Sequence, residues 1–228
     1  MANGRLAAVS RIVLALVCAV VLVACSGGTE PPQADIAKVR DVRSSFGPDF
    51  TVTTTDETGI DPRLLAPQAL PPGITLDPAN CTSLAKGLDL PKDLKGNMAA
   101  VTAEGAGNRF IAIAVETSQT VPFPDPGADC QKVAFAGPGA RGLVEVVEAP
   151  TIDDARTLGT HRVVQTMVNG KPASGELYNY TAAFGSYLVI VTANPLVLPN
   201  VPVAPVDTAR ARNLVTAAVA AIRGPVSS

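Results

Sequence analysis

The sequence predicts an α+β fold: a mostly antiparallel β-sheet flanked by helices, with a C-terminal helix packed on the sheet. Segments with β-type alternation follow one another with turn signals between them, and an amphipathic helical pattern closes the chain. Helices do not alternate with strands as they do in parallel α/β folds. Aromatic residues make up only 4% of the 228 residues and tryptophan is absent, so the core must be mainly aliphatic.

The N-terminal part of the domain is predicted to hold a helix, a strand and two short helices. The first helix begins at Asp35 and ends at Gly47-Pro48, with apolar residues at near-helical spacing between them. Residues 50–55 alternate and are rich in β-formers, which predicts a strand. Residues 61–70 and 80–88 are candidates for short helices.

The middle of the chain is predicted to be mainly β-structure. Residues 98–104 and 109–117 form a hairpin, and both faces of its second strand are apolar, so both faces are expected to be covered. A proline-rich crossing at 121–127 leads to another strand at 143–148. Residues 153–158 are predicted as a short turn of helix.

The clearest unit is a predicted three-stranded meander of residues 161–168, 176–184 and 187–193. Asn169-Gly170 supplies turn chemistry after the first strand. Gly185-Ser186 fits a type II′ turn between the other two, because glycine tolerates positive φ at the first turn position.

An apolar, proline-rich loop at 195–205 precedes the predicted last helix. Asp207 caps that helix and Gly224-Pro225 ends it. The helix carries a stripe expected to face the core: Ala211, Leu214, Val215, Ala218 and Ile222.

The start of the chain resembles the export signal of a bacterial lipoprotein. Arg5 and Arg11 precede an uncharged apolar run at 12–24, which is too short for a transmembrane helix and suits a signal peptide. Leu22-Val23-Ala24-Cys25 resembles a lipobox, in which Cys25 is joined to diacylglycerol and the chain is cut before it. An ordinary signal peptide followed by a chance cysteine is the alternative.

The predicted organisation is therefore a lipoprotein signal peptide at 1–24, a tether at 25–34 and a single extracytoplasmic α+β domain at 35–228. At least two acyl chains on Cys25 would hold the protein on the outer side of the cell membrane. The formal net charge of −2 becomes more negative when the signal peptide takes two arginines away. This charge argues against a nucleic-acid partner and against electrostatic docking on anionic lipid.

Cys81 and Cys130 remain as the ordinary thiols of the exported chain. An even pair in an exported protein predicts a disulfide bond. Closing a loop of about 48 residues contributes up to about 4 kcal/mol in the chain-entropy model. Free thiols and a redox site are the alternatives, although the chain has no Cys-x-x-Cys.

No motif in the sequence is a catalytic signature. His161 is the only histidine, and without a Gly-x-Ser-x-Gly motif it is interpreted as an ordinary residue at the start of a strand. Residues 137–142 match Gly-x-Gly-x-x-Gly, but a strand follows where a nucleotide site needs a helix N-terminus. Asp153-Asp154, with Glu145 and Glu148 nearby, lacks the spacing of a calcium loop. We therefore expect no enzymatic activity, no cofactor and no metal ion.

Two apolar features are candidates for ligand binding. Three aromatic residues are predicted to share one face of the central meander strand, where either core packing or an apolar cleft explains them: Tyr178, Tyr180 and Phe184. The uncharged loop either covers a sheet edge or forms an exposed binding patch, and its candidate residues are Leu196, Leu198 and Val201. If both features border one groove between the sheet and the last helix, an apolar ligand would enter there.

The chain also resembles mycobacterial lipoproteins of an uncharacterised family. The resemblance rests on the lipobox, Cys81, Cys130, the segments VEVVEAPTIDDARTLGTHRVVQTMVNGK and YTAAFGSYLVIVTA, and a last helix ending in AAIRG. That family is similar in layout to the extracellular sensor domain of a mycobacterial Ser/Thr kinase. The resemblance spans most of residues 35–224, and because its motifs are structural it assigns no functional residue.

The function expected from the sequence is binding of an envelope lipid, a cell-wall fragment or a protein partner. A hydrolase that acts on envelope material and an accessory subunit of a membrane complex are the alternatives. An apolar cavity would favour lipid binding, and a filled core with a flat apolar patch would favour the accessory role. A cleft with converging carboxylates, or with His161 near a hydroxyl, would favour an enzyme.

Overall fold

The strands that the structure describes form one antiparallel sheet in the order β1-β3-β4-β9-β8-β7-β6-β5-β2, which confirms the predicted fold class. In chain order these strands are β1 (Phe50–Gly59), β2 (Thr75–Asp77), β3 (Gly96–Gly105), β4 (Asn108–Thr117), β5 (Lys132–Gly137), β6 (Ala140–Val147), β7 (Arg156–Val168), β8 (Lys171–Phe184) and β9 (Tyr187–Pro195).

The computed structural model describes residues 34–60, 70, 72–88, 91 and 93–224. The predicted lipobox with Cys25, the signal peptide and nearly all of the helix expected at 61–70 lie outside these residues. By their internal contacts, residues Ala34–Ser228 form one compact unit.

The first helix is a 3₁₀ helix, Ile36–Ser45. Its buried side chains, Ile36, Val39 and Val42, recur every third residue, which matches the three residues per turn of this helix type. The side chain of Asp35 accepts a hydrogen bond of 3.1 Å from the backbone N–H of Ala37, as expected for a cap. The helix was therefore predicted in the right place, and its type follows from the spacing.

Two α-helices follow, α1 (Thr82–Lys86) and α2 (Thr208–Arg223). Helix α2 has the predicted boundaries: Asp207 accepts a hydrogen bond of 2.9 Å from the backbone N–H of Arg210, and Gly224 ends the helix with φ of 70°. All five residues of the predicted stripe are buried.

Helix α2 and the 3₁₀ helix pack on the same face of the sheet, which we call the helix face. The strands beneath them carry small side chains, which let the backbones approach closely and explain a core with few aromatic rings. These small buried residues are Ala99, Ala112, Ala114, Ala182 and Ala193 from the sheet and Ala211 and Ala218 from α2.

The opposite face of the sheet is covered by α1 and by connecting segments. Cys81, just before α1, forms the predicted disulfide bond with Cys130, just before β5. Both faces of β4 are buried, as the sequence predicted. The disulfide therefore links α1, which covers this face, to the segment that leads into β5.

The hairpin turns confirm the predicted turn residues. Ala106 and Gly107 between β3 and β4 both have positive φ, and so do Asn169 and Gly170 between β7 and β8. Gly185 between β8 and β9 has φ of 54°, as a type II′ turn requires.

Three local predictions were wrong or incomplete. Residues 153–158 are not helical, because Asp154 has φ of 54° in a turn and β7 begins at Arg156. His161 consequently lies inside a strand rather than at its start. Strands β2 and β5 were not predicted: β2 has only three residues, and β5 is rich in alanine and glycine.

Strand directions place several turns at one end of the sheet, which we call the hairpin end. Because β7 and β9 are both antiparallel to β8, the β7–β8 turn and the segment after β9 lie at this end. Helix α2 also starts here, since Asp207 donates its backbone N–H to the side chain of Asn108, the first residue of β4. At the opposite end the backbone N–H of Asp35 donates to Ile222 near the end of α2.

Candidate functional site

The helix face is only partly covered. Helix α2 contacts β4, β8 and β9, and exposed side chains mark the part of β5, β6, β7 and β8 that extends toward the hairpin end. We call this area the open face. Strand register arranges it in three cross-strand rows: Ala136, Arg141, Gln165 and Ser174; Ala134, Leu143, Val163 and Glu176; and Lys132, Glu145, His161 and Tyr178.

The third row holds His161 between two carboxylates. Its Nδ1 lies 3.1 Å from Oε1 of Glu145, and its Nε2 lies 3.2 Å from Oε2 of Glu176. Each ring nitrogen of His161 therefore has a carboxylate oxygen within hydrogen-bond distance. The ring also stacks on Tyr178, and its side chain is only 14% exposed.

The ionisable side chains of this row come from four neighbouring strands, one from each. The hydrogen bond from His161, with help from Lys132 at 3.5 Å, lowers the pKa of Glu145 below its ordinary value. Burial and the nearby Glu176 raise the pKa of the Tyr178 hydroxyl. Both ring nitrogens of His161 are engaged by carboxylates, so neither is directed at a nucleophilic hydroxyl.

On the other face of β7, Arg162 is buried. It donates a hydrogen bond of 2.7 Å to the backbone carbonyl of Ala85 at α1, and burial lowers its pKa to about 10. This contact holds α1 against the sheet, which is a structural role.

The first row forms the floor of a groove of about 610 Å³ over the tips of the β5–β6 and β7–β8 hairpins, which are joined side by side by the pairing of β6 with β7. Arg141 Nε donates a hydrogen bond of 2.8 Å to Oε1 of its cross-strand partner Gln165. Met167 and Pro172, two residues further toward the β7–β8 turn, share the face of this row and line the groove as well.

The large hydrophobic side chains that are exposed in the described part of the chain all lie at the hairpin end. Two of them end β7, and four belong to the loop after β9. They are Met167 (60% exposed), Val168 (53%), Val197 (73%), Leu198 (51%), Val201 (54%) and Val203 (54%). Such a concentration of exposed apolar groups is typical of a binding surface.

The structure places the predicted aromatic face in the core. Tyr180 is 1% exposed, while Tyr178 and Phe184 pack against the same core cluster. The guanidinium group of Arg223 lies 4.2 Å from the centre of the Phe184 ring, and it donates to the backbone carbonyl of Asp153. Side chains of α2 therefore fill the space where the sequence suggested a cleft beside this face.

The loop residues lie elsewhere. The backbone N–H of Leu196 donates to Gly107 in the β3–β4 turn, and Leu196 is half-buried. Leu198 and Val201 are exposed, so the open alternative for this loop, an exposed patch, is the one observed.

Sequence reasoning missed the groove residues. Arg141 belongs to the Gly-x-Gly-x-x-Gly match at 137–142, which is a hairpin turn followed by the predicted strand. The useful signal was Met167-Val168 directly before Asn169-Gly170, since two large apolar residues at a hairpin tip have no core to face.

None of the helices among the described residues has the length and apolar character needed to cross a membrane. Nor do these residues contain a cluster of three or more histidine, cysteine, aspartate or glutamate side chains arranged to hold a metal ion.

The chain is similar to a known family and to solved structures. Residues 35–223 match a family described as a domain of unknown function, DUF5642. No curated protein matches the chain. The X-ray structure of an uncharacterised Mycobacterium smegmatis protein, the Rv0999 ortholog, is 61% identical, with a TM-score of 0.81 over 85% of this chain and 99% of that chain. Since 99% of that chain is covered, the X-ray structure consists almost entirely of the matched region. The match confirms the predicted mycobacterial resemblance.

The crystal structure of the extracellular domain of PknH from Mycobacterium tuberculosis is also similar, at a lower level. It is 11% identical, with a TM-score of 0.33 over 81% of this chain and 91% of that chain.

Proposed function

The chain belongs to the DUF5642 family, and we propose that it is a lipid-anchored binding domain on the extracytoplasmic side of the cell membrane. It binds an apolar envelope molecule at the hairpin end of its sheet and has no catalytic activity. The Cys81–Cys130 disulfide supports the location, because such bonds persist in oxidising compartments outside the cytoplasm. The lipobox ending at Cys25 supports the anchor.

The observation that carries this proposal is the concentration of exposed aliphatic side chains at the hairpin end. Elsewhere in the described structure the large apolar side chains are covered, so the exposure is not a general property of the surface. Each Å² of apolar area that this surface buries against a ligand contributes about 25 cal/mol of stabilisation.

The start of the domain and the binding surface lie at opposite ends of helix α2. Asp35 is hydrogen-bonded beside the last turn of α2, whereas the apolar loop lies beside the first turn. A helix of 16 residues separates the two ends by about 24 Å. Asp35, near the start of the domain, therefore lies at the end away from the binding surface.

The two alternative functions differ in their support. A hydrolase is disfavoured because the two carboxylates that converge at His161 lie on the open face of the sheet and each is within hydrogen-bond distance of a ring nitrogen of His161. An accessory subunit, which binds a protein instead of a lipid, would use the same exposed surface and is separated by experiment.

The test is native mass spectrometry of the full-length protein purified from its host membranes. We expect an apolar small molecule to accompany the wild type and to be lost from a Leu198→Asp, Val201→Asp double variant. Both side chains are exposed, so the thermal midpoint should change little. Thr53→Asp with Thr55→Asp on the exposed strand β1 is the matched control, which should retain the molecule.

Other outcomes decide between the alternatives. A co-purifying protein that the loop variant loses would support the accessory role, and purification of the wild type with nothing bound would contradict the binding proposal.

A further inference from the structure

The groove over the tips of the β5–β6 and β7–β8 hairpins combines one cation with apolar walls. Among the described residues that line it, Arg141 is the only charged one. The other lining side chains are small, apolar or uncharged polar groups, and glycines at the β5–β6 turn keep one wall low. Its volume of about 610 Å³ lies within the usual range for small-molecule sites.

The guanidinium group of Arg141 is oriented for a ligand. Its Nε is held by the side chain of Gln165 at 2.8 Å, which fixes the plane of the group on the groove floor. Within the described part of the structure no hydrogen bond occupies its two Nη groups. A planar fork of N–H donors binds a carboxylate well, because two parallel hydrogen bonds match its two oxygens.

The walls beside Arg141 suit an alkyl chain. Met167 and Pro172 face each other across the β7–β8 hairpin, and Ala136, the cross-strand partner of Arg141, lies on the β5–β6 side. Met167 is 60% exposed. Its flexible thioether chain adapts readily to an apolar ligand. Beyond Met167 the exposed Val168 continues the apolar surface toward the turn.

We infer that this groove binds a long-chain fatty carboxylate, with the carboxylate on Arg141 and the alkyl chain against Met167 and Pro172. The inference rests on the proposed binding function and names its ligand class. A single cation balances a singly charged carboxylate, whereas a doubly charged phosphate monoester would leave a charge without a partner. The remaining polar side chain on the floor, Ser174, lies next to Gln165 and offers a further donor to the head group.

The test measures palmitate binding to the compact domain at 34–228 by calorimetry, below the concentration at which palmitate aggregates. We expect Arg141→Gln to weaken binding by about tenfold or more, the loss expected when a charge-assisted hydrogen bond is removed. Arg109→Gln is the matched control, because Arg109 is also exposed at the hairpin end but pairs with Glu104 outside the groove. That variant should bind palmitate as the wild type does.

Two further measurements separate charge from apolar contact. Hexadecanol has the same chain without the carboxylate, so its weaker binding should not depend on Arg141. Ala136→Phe fills the groove from an exposed position and should abolish palmitate binding without lowering the thermal midpoint.

Equal palmitate binding by the wild type and Arg141→Gln, or no palmitate binding by the folded wild type, would overturn the fatty-carboxylate inference. The proposed function is judged independently, by whether the protein from host membranes carries an apolar molecule that the loop variant loses.

Discussion

The imidazole ring of His161 lies flat on the phenol ring of Tyr178, with ring centroids 4.2 Å apart and an interplanar angle of 12°. The two residues are cross-strand partners on β7 and β8, so strand register fixes the stack. Carboxylates at both edges of the imidazole ring complete its surroundings. The histidine thus has a defined structural role, and its neighbours give the fold a measurable dependence on pH.

We expect Glu145→Gln to destabilise the fold at neutral pH and to have little effect in acid. The hydrogen bond from His161 lowers the pKa of Glu145 from its ordinary value of 4.5. A carboxyl group with a lowered pKa stabilises the folded state above its unfolded pKa, and this contribution is lost as the pH falls through the folded pKa. Because the side chain is 31% exposed, the loss at neutral pH should be below about 1 kcal/mol.

Urea unfolding at neutral pH and near pH 3 measures this difference. Glu148→Gln, an exposed carboxylate just after the same strand, is the control and should change stability little at either pH. If Glu145→Gln destabilised the fold as much in acid as at neutral pH, the stabilisation could not be assigned to the ionised carboxylate of Glu145.

Loss of the disulfide bond should lower the free energy of unfolding by about 2–4 kcal/mol, because the bond restricts a long loop of the unfolded chain. Cys81 and Cys130 are 49 positions apart. Denaturant unfolding with and without a reductant measures the effect in the wild type. A Cys81→Ala, Cys130→Ala variant should show the lower stability under both conditions, and a reductant effect in that variant would point to another cause.

Lipidation should depend on Cys25 and not on Cys18. The small residue before Cys25 and the leucine three positions earlier resemble a lipobox, whereas Cys18 lies inside the apolar run. Cells fed with labelled palmitate should label the wild type and Cys18→Ala but not Cys25→Ala. Persistent label in Cys25→Ala, after any bound free fatty acid is removed by denaturation, would refute lipidation at this residue.

Gly107→Ala should destabilise the fold more than Gly170→Ala. Both glycines have positive φ, at 76° and 72°, so both substitutions carry a similar backbone cost of about 1 kcal/mol. A Cβ at Gly107 would also lie 2.6 Å from the Cβ of Ala204, whereas at Gly170 it would meet nothing within 4 Å. Thermal unfolding of the two variants therefore measures how tightly the loop after β9 is held against the β3–β4 turn.

The local signals of the fold could be predicted from the sequence. The turn at Asn169-Gly170, the glycine at Gly185 and the cap at Asp207 specify their conformations through local chemistry alone. Strand β5 could not be recognised in the same way, because its identity depends on Val133 and Phe135 being buried beneath α1 and the disulfide. Tertiary packing supplied the pattern that six residues were too few to show.

The candidate site was less accessible to sequence reasoning. Arg141 and Gln165 are 24 positions apart and meet only through the register of β6 and β7. A shift of one residue in that register would put Arg141 on the opposite face of the sheet relative to Gln165, and no local signal fixes it. The exposure of Leu198 and Val201 also depended on how the loop leaves β9, so the sequence left two alternatives open.

The pairing of β4 with β9 has a consequence for how the chain folds. Strands β5 to β9 form a meander in which every strand pairs with its neighbour in sequence, so each contact closes a short loop. The β4–β9 pairing brings together Phe110 and Ala193, which closes a loop of about 80 residues and costs more conformational entropy. Docking of the β3–β4 hairpin onto a preformed meander is therefore expected to limit the folding rate. Until it docks, β9 exposes an apolar edge along which an incompletely folded chain is most prone to mispair with another copy.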